Sequence, residues 1–496
     1  MGIIKKQGLQ AATYSSIGVV IGFLVNAILM PKLLSTEQVG LLSFLGSLTS
    51  IFSGLFTFGL SLVILSIFPK YGNKNLNSLY TFILMVSILG IISAICTYYA
   101  GNNWVLSILK DTRSHATSYA YFSVGFVIIC SFRIIFKNND SLIRMMKNTV
   151  LGTVLESLVI KVIILASLIY YYFSADQPFE IVFILFVFAM SFPGIFSQFY
   201  LWAKGIRISS IRRSLIDIAP FKRQILSLAG YGVLNAFGVR IIMEVDRIMV
   251  SGSLGLDSNG VYSIAFLFGA FVNLPANGVR RISSVLISNA WNENKMDTIS
   301  DIYKKSCINL SAVGFYLLLG VWLNLDTVFS FLPEEYSQGK YVMLLIGFSH
   351  LVDMTFGVNN EILATSKLYR YTTYFMGVLI ILVVVLNAIF IPIYGINGAA
   401  LASLIALVIV NIARYILLWK QYKFQPFNWK LAAIWVVGGL FFFLPVIIPG
   451  LQNAYLQIMV TSIMLTIGYW SIMYFSKIST DINSLINDNL KKLFGR

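Results

Sequence analysis

The sequence predicts an all-α integral membrane protein of about fourteen transmembrane helices: two pseudo-symmetric six-helix bundles followed by two further helices. Three observations carry this. Of 496 residues, 58% are hydrophobic and 11% are charged, against about 25% charged in an ordinary soluble domain. The apolar residues form continuous runs of the ~20 residues that a helix needs to cross the hydrocarbon, not the alternating ~10-residue segments of barrel strands. A weak internal repeat, offset by 220 residues, sets Thr36-Glu37-Gln38-Val39-Gly40-Leu41-Leu42-Ser43 against Leu256-Asp257-Ser258-Asn259-Gly260-Val261-Tyr262-Ser263.

The runs, α1 to α14, cover 10–30, 39–68, 79–100, 115–136, 149–173, 179–202, 224–250, 260–279, 306–326, 341–363, 371–391, 396–418, 431–449 and 454–475. α1 is too long for a signal-peptide core and is followed by Pro31-Lys32 rather than a small-residue cleavage site. On α2, Ser43, Ser47, Ser50, Gly54, Thr57 and Ser61 form a small-residue stripe suited to close helix packing. α5 and α11 keep almost the repeat offset, and six helices separate the copies, so the copies share one orientation, as in a parallel repeat about an axis normal to the membrane. α13 and α14 fall outside the repeat. In the tail, Ile478, Ile482, Leu485, Ile486, Leu490 and Leu493 share one helical face, the pattern of a helix lying on a membrane surface. The expected organisation is an N-terminal lobe over 1–202, a basic cytoplasmic linker over 203–223 and a second lobe over 224–418. Two additional helices over 419–476 and an amphipathic cytoplasmic tail over 477–496 complete it.

Loop charges orient the bundle. Of 36 lysines and arginines, 27 fall before α1, after α14 or in every second loop, and only Lys32, Lys110, Arg113 and Lys340 lie in the opposite loops. Eight carboxylates, Glu37, Asp111, Asp176, Glu180, Asp257, Asp326, Glu334 and Glu335, sit mostly opposite the cations. The positive-inside rule then places both termini in the cytoplasm. The net charge of +16 reads as topology and affinity for anionic lipid, and no basic soluble module for nucleic acid is present. The three cysteines (Cys96, Cys130, Cys307) form no pair or metal spacing, and two histidines do not make a multi-His site.

Ten ionisable residues other than histidine fall inside spans: Arg133, Glu156, Lys161, Arg240, Glu244, Asp246, Arg247, Asp353, Glu361 and Arg414. Each costs ~2.5–3.5 kcal/mol at a helix centre, so they are expected to face one another or a wet cavity. Arg240, Glu244 and Arg247 share a stripe on α7; Glu244 reads equally as half of a self-neutralising pair or as cavity lining, whereas Arg240, close to mid-membrane, reads as cavity lining. His350, Asp353, Gly357 and Glu361 share a face of α10; a mid-depth carboxylate suits Na+ or H+, while a polar inter-helix bond suits His350 as well. α8 presents Asn273 and Asn277 around Pro275, a kink, with Arg280 and Arg281 as cytoplasmic anchors. On α12, Ser403, Asn411 and Arg414 lie on one side. Glu156 and Lys161 are five apart and cannot pair on their own helix, so Lys161 needs a partner elsewhere or a bound anion.

Three stretches resemble the polysaccharide transporter branch of the multidrug/oligosaccharidyl-lipid/polysaccharide (MOP) superfamily, which includes Wzx-type O-antigen flippases. They are Met30-Pro31-Lys32-Leu33-Leu34-Ser35-Thr36-Glu37-Gln38-Val39-Gly40; Val245-Asp246-Arg247-Ile248-Met249-Val250 with Gly260-Val261-Tyr262-Ser263; and Ile391-Pro392-Ile393-Tyr394-Gly395-Ile396-Asn397-Gly398-Ala399-Ala400-Leu401-Ala402. The resemblance spans about 1–475 and implies two six-helix bundles around a central cavity, working by alternating access in a bacterial inner membrane. It implies as substrate an oligosaccharide repeat unit on undecaprenyl diphosphate, flipped from the cytoplasmic to the periplasmic leaflet. A polysaccharide polymerase and chain-length proteins become candidate partners. On this reading Arg240, Lys161 and Arg414, with Arg247, Asn273 and Asn277, receive the diphosphate or acidic sugars. Glu244, Asp353, Glu156, Glu361 and His350 bind a coupling Na+ or H+ or hold the arginines; no other cofactor is expected. Lipid II flippases of the superfamily place arginines in their first two helices, where this chain has no cation within the membrane. A multidrug antiporter would need a cavity dominated by acids, whereas the span cations and acids number five each. A glycan polymerase or ligase would need catalytic residues in a substantial periplasmic loop, and none is long enough.

Overall fold

The structure, a computed structural model, describes residues 2–71, 76–109, 119–174, 178–447 and 453–494. Lys110, Asp111, Arg113 and Asp176 lie outside the described residues, as do the side chains of Leu485, Leu490 and Leu493. Among the described residues every regular element is helical. Eleven helices are long and apolar enough to cross a membrane, or twelve if the bent pair Glu334–Thr355 and Asn359–Thr365 counts as one span.

The expected fourteen runs are not matched one for one, for identifiable reasons. α7 and α8 run together: Arg240–Asn292 forms one 53-residue stretch, broken by Gly255 (φ 87°, ψ 177°) and a 3₁₀ turn over Phe271–Asn273. That turn, with Pro275 opening Leu274–Asn292, is the kink expected of α8. α13 is only 13 residues, Trp429–Phe441. α2 divides into Thr36–Phe56 and Leu60–Tyr71, because Phe58 and Gly59 take positive φ.

By contacts the chain forms two compact units, Met1–Ser263 and Ile264–Arg496. The repeat lobes 1–202 and 224–418 remain an expectation from the sequence. In the first unit, the segment after α1 opens α2 with a capping box. Ser35 Oγ accepts from Gln38 N at 3.2 Å, and Gln38 Oε1 accepts from Ser35 N at 3.1 Å. The two repeat segments then pack on each other. A Cβ on Gly40 would stand 1.8 Å from Leu256 O, and one on Gly260 would stand 2.0 Å from Thr36 O. Thr36 and Leu256 are themselves repeat partners, so the contact exchanges equivalent positions as a two-fold interface does. Thr36 Oγ1 donates to Asp257 at 2.7 Å, the Ser43 and Ser263 hydroxyls meet at 2.6 Å, and Asn259 Nδ2 donates to Gly40 O at 2.9 Å. α2 and α7 also meet towards their other ends, where Gly59 and Gly232 leave no room for a Cβ on either.

Gly40→Ala should therefore lower stability by about 1–3 kcal/mol, since the obstruction is backbone and not a flexible side chain. Gly46→Ala, with open space around it, should leave the Tm of the purified protein unchanged. Equal melting of the two variants would remove the contact.

α1 approaches α5 through Gly18 and Gly22: a Cβ on the first would meet Ser157 O at 2.1 Å, and one on the second the Lys161 side chain at 3.3 Å. Both helices carry a π turn, Leu24–Leu29 and Leu155–Val159. The basic linker docks its inner face on α3, with Ser214 Oγ donating to Ser78 O at 2.6 Å and Arg207 N to Asn77 Oδ1 at 2.9 Å. Arg212 and Arg213 stay exposed. In the second unit, α10 bends by 51° where Gly357 takes φ 62°. Tyr469 of α14 donates to Ala312 O of α9 at 2.8 Å, fixing the added helices to the unit.

Candidate functional site

Polar groups gather separately in each unit. In the first, α4 supplies Arg133 and Lys137, which point at the face of α2 beside its small-residue stripe. Arg133 donates to Thr49 Oγ1 at 3.2 Å and Gly46 O at 3.3 Å, and Lys137 Nζ donates to Ser53 Oγ at 2.8 Å. α7 adds Arg240, Glu244 and Arg247. Glu244 takes a 2.7 Å salt bridge from Arg247 and a 2.7 Å bond from Ser47. Arg240 packs on Gly54 and reaches only Glu156 of α5, at 3.9 Å.

The stripe thus does more than let helices approach: Ser47 holds Glu244 and Gly54 makes room for Arg240, while Gly46, Thr49 and Ser53 beside it hold Arg133 and Lys137. Lys161 of α5 has no carboxylate within 4.0 Å and donates no hydrogen bond among the described residues, while Arg133, Glu156 and Arg247 are the charges acting on it. Glu156 lies within the π turn Leu155–Val159, and no ion pair joins it to Lys161 among the described residues. Arg133 and Lys137 act on each other and feel Arg240 and Glu156. Five cations stand against two carboxylates here, an excess of three positive charges. A cavity of about 370 Å³ opens onto this group, lined by Lys137, Glu156 and Arg240 and by the ion pair of Asp140 and Arg144, which adds no net charge, with Thr57, Ser61 and Ser141 among its hydroxyls. Asp246 stands apart at the outer end of α7, accepting from Tyr262 at 2.8 Å.

The second unit is balanced instead. Arg280 Nη2 lies 2.5 Å from Asp353 Oδ2, and the other Asp353 oxygen accepts from Asn411 Nδ2 at 3.0 Å. Asn411 Oδ1 in turn accepts from Asn359 Nδ2 at 2.9 Å. Arg414 stands over the Phe375 ring at 6.0 Å, and it and Glu361 act on Arg280 and Asp353. His350 is close enough to feel Asp353 and Arg280. Beyond the bend in α10, Glu361 belongs to the short helix Asn359–Thr365, not to a straight continuation of the Asp353 face.

Of the residues expected at a substrate site, Arg240, Lys161 and Arg247 come together with Glu244 and Glu156. Arg414 does not join them and sits with the carboxylates of the second unit. Asn273 keeps a buried, unpaired Oδ1, whereas Asn277 is exposed. Sequence reasoning passed over Lys137, which lies just past the apolar run of α4, although its i, i+4 spacing from Arg133 marks one helix face. It also read Arg280 as a terminal anchor, while the helix continues to Asn292. The described residues hold no group of three or more His, Cys, Asp or Glu side chains able to bind a metal.

A family model for polysaccharide biosynthesis proteins matches residues 8–287, more than half of the chain. The chain belongs to the polysaccharide biosynthesis protein family. It is a multi-pass membrane protein, and its fold is similar to that of solved transporters of the MOP superfamily. The lipid II flippase MurJ in an inward closed conformation is similar with a TM-score of 0.73 and 15% identity, covering 95% of this chain and 100% of that one. An inward-facing multidrug resistance MATE family transporter of the MOP superfamily gives a TM-score of 0.62 and 11% identity over 83% of this chain and 98% of its own. A MOP superfamily transporter from Pyrococcus furiosus, described as having a binding pocket of reverse polarity, gives 0.52 and 11% over 84% and 96%. At these identities the likeness concerns the fold. None of the curated proteins compared matches the chain.

Proposed function

We propose that this family member is a flippase for undecaprenyl-diphosphate-linked oligosaccharide repeat units of O-antigen, capsule or a related surface polysaccharide. It moves them from the cytoplasmic to the periplasmic leaflet of a bacterial inner membrane by alternating access, handing them to a polymerase and chain-length proteins. The observation that supports this is the uncompensated positive charge of the first unit. Holding bare cations among helices is costly, and a multiply anionic diphosphate offsets that cost when it binds. Arg133 and Arg240 can present planar, two-pronged donors to phosphate oxygens, and Lys137 and Lys161 act as point charges. Glu156 and Glu244 orient the arginines.

The same excess disfavours a multidrug antiporter, since a cationic drug would be repelled. It comes from α4, α5 and α7 and not from the first two helices, which favours a glycan precursor over a peptidoglycan one. Deletion of the gene in a strain without a paralogue should trap lipid-linked repeat units on the cytoplasmic face, detectable by extraction and mass spectrometry. Normal surface glycan in that strain would count against the reading.

A further inference from the structure

A transporter of this superfamily invites a search for a coupling-cation site, and Asp353 is the carboxylate that the sequence nominates. The geometry does not fit one. Both Asp353 oxygens are taken, one by the Arg280 guanidinium at 2.5 Å and one by the Asn411 amide at 3.0 Å. The two charged side chains keep only 17% and 20% of their surface exposed. A sodium ion is a hard cation that needs several oxygen ligands facing it, and a guanidinium in that position repels it. The oxygen donors nevertheless remain nearby: Asp353 itself, the Asn411 and Asn359 amides, and Glu361, whose Oε2 is buried without a hydrogen-bond partner. The cations facing the group are Arg280 from α8 and Arg414 from α12, with His350 on α10 beside them.

We propose that Arg280 is a tethered counter-cation occupying what is otherwise a monovalent-cation site, so that the second unit works without loading sodium at Asp353. A dissociable ion must be captured and released in each cycle, whereas a tethered one is always present. The polar centre of this unit then stays neutral whatever the ionic gradient. Removing the tether leaves Asp353 and Glu361 facing Arg414 alone, one buried negative charge in excess and an unfavourable state, and a small cation from solution relieves it. This inference does not depend on which cargo the protein carries.

The test uses the purified full-length protein in nanodiscs, with thermal unfolding followed in sodium, potassium or N-methyl-D-glucamine chloride at one ionic strength. Wild type is expected to melt at the same temperature in all three. Arg280→Gln should melt lower in N-methyl-D-glucamine and recover by a few degrees in sodium, as ligand binding to the folded state requires. The recovery should vanish when Asp353→Asn is added. Arg280→Lys keeps a cation and should be indifferent to sodium. A sodium response in wild type that Asp353→Asn abolishes would overturn the proposal, as would one in Arg280→Lys. A folded Arg280→Gln that answers to acid alone, or to nothing, would overturn the sodium assignment. If Arg280→Gln fails to fold, the wild-type and Arg280→Lys measurements still decide.

Discussion

Lys161→Ala should abolish complementation of a deletion strain while leaving the melting temperature of the purified protein unchanged or slightly raised. The expectation follows from the position of this side chain. Arg247 is tied to Glu244 at 2.7 Å, so removing Arg247 orphans a buried carboxylate and confuses loss of function with loss of stability. Lys161 holds no such partner, and its removal relieves repulsion from Arg133 and Arg247. Its loss to an anionic ligand is that of one charged hydrogen bond, ~1.5–3 kcal/mol, or about 10- to 100-fold in affinity. Binding of pyrophosphate or undecaprenyl diphosphate to the detergent-solubilised protein reads this directly. Arg240→Ala should act in the same direction, with Glu156 left 3.9 Å from an empty space. Full complementation by both variants would remove the site assignment.

The second large effect concerns the repeat contact. Ser43 and Ser263 bring their hydroxyls within 2.6 Å, close enough for a disulfide between cysteines placed there. In a Cys96→Ser background, which removes the exposed native thiol, Ser43→Cys with Ser263→Cys should cross-link under mild oxidant. On the proposed alternating-access cycle these segments must part, so transport should stop on oxidation and return with a reductant. Efficient cross-linking with undiminished transport would show that the contact persists through the whole cycle.

Much of this molecule could be read before its coordinates. Continuous apolar runs gave the helical class, and the spacing of Gly40 and Gly260 within similar segments exposed the repeat. What escaped lay at the ends of the runs. Lys137 and Arg280 look like loop residues because hydropathy falls where they occur, yet the helices carrying them continue to Met145 and Asn292. Hydropathy reports the polarity of a residue and not the direction it faces, so an inward-pointing cation and a cytoplasmic one look alike. The division of charge was equally hidden. Cations and acids balance over the spans as a whole, but Arg133 and Asp353 hold equivalent positions of the repeat with opposite sign. Only packing shows that the cluster in the first unit keeps an excess while the one in the second unit cancels its own.

That excess has an electrical consequence. A membrane potential acts on a translocating unit charge with about 2.3 kcal/mol per 100 mV. If the proposed carrier swings these cations through the bilayer when empty, it feels the field, and an inside-negative voltage draws them back towards the cytoplasm. With the proposed diphosphate seated, most of that charge would be cancelled and the outward swing would become nearly voltage-silent. The resting potential would then reset the carrier after each delivery, giving direction to the cycle with no ion moving alongside the cargo.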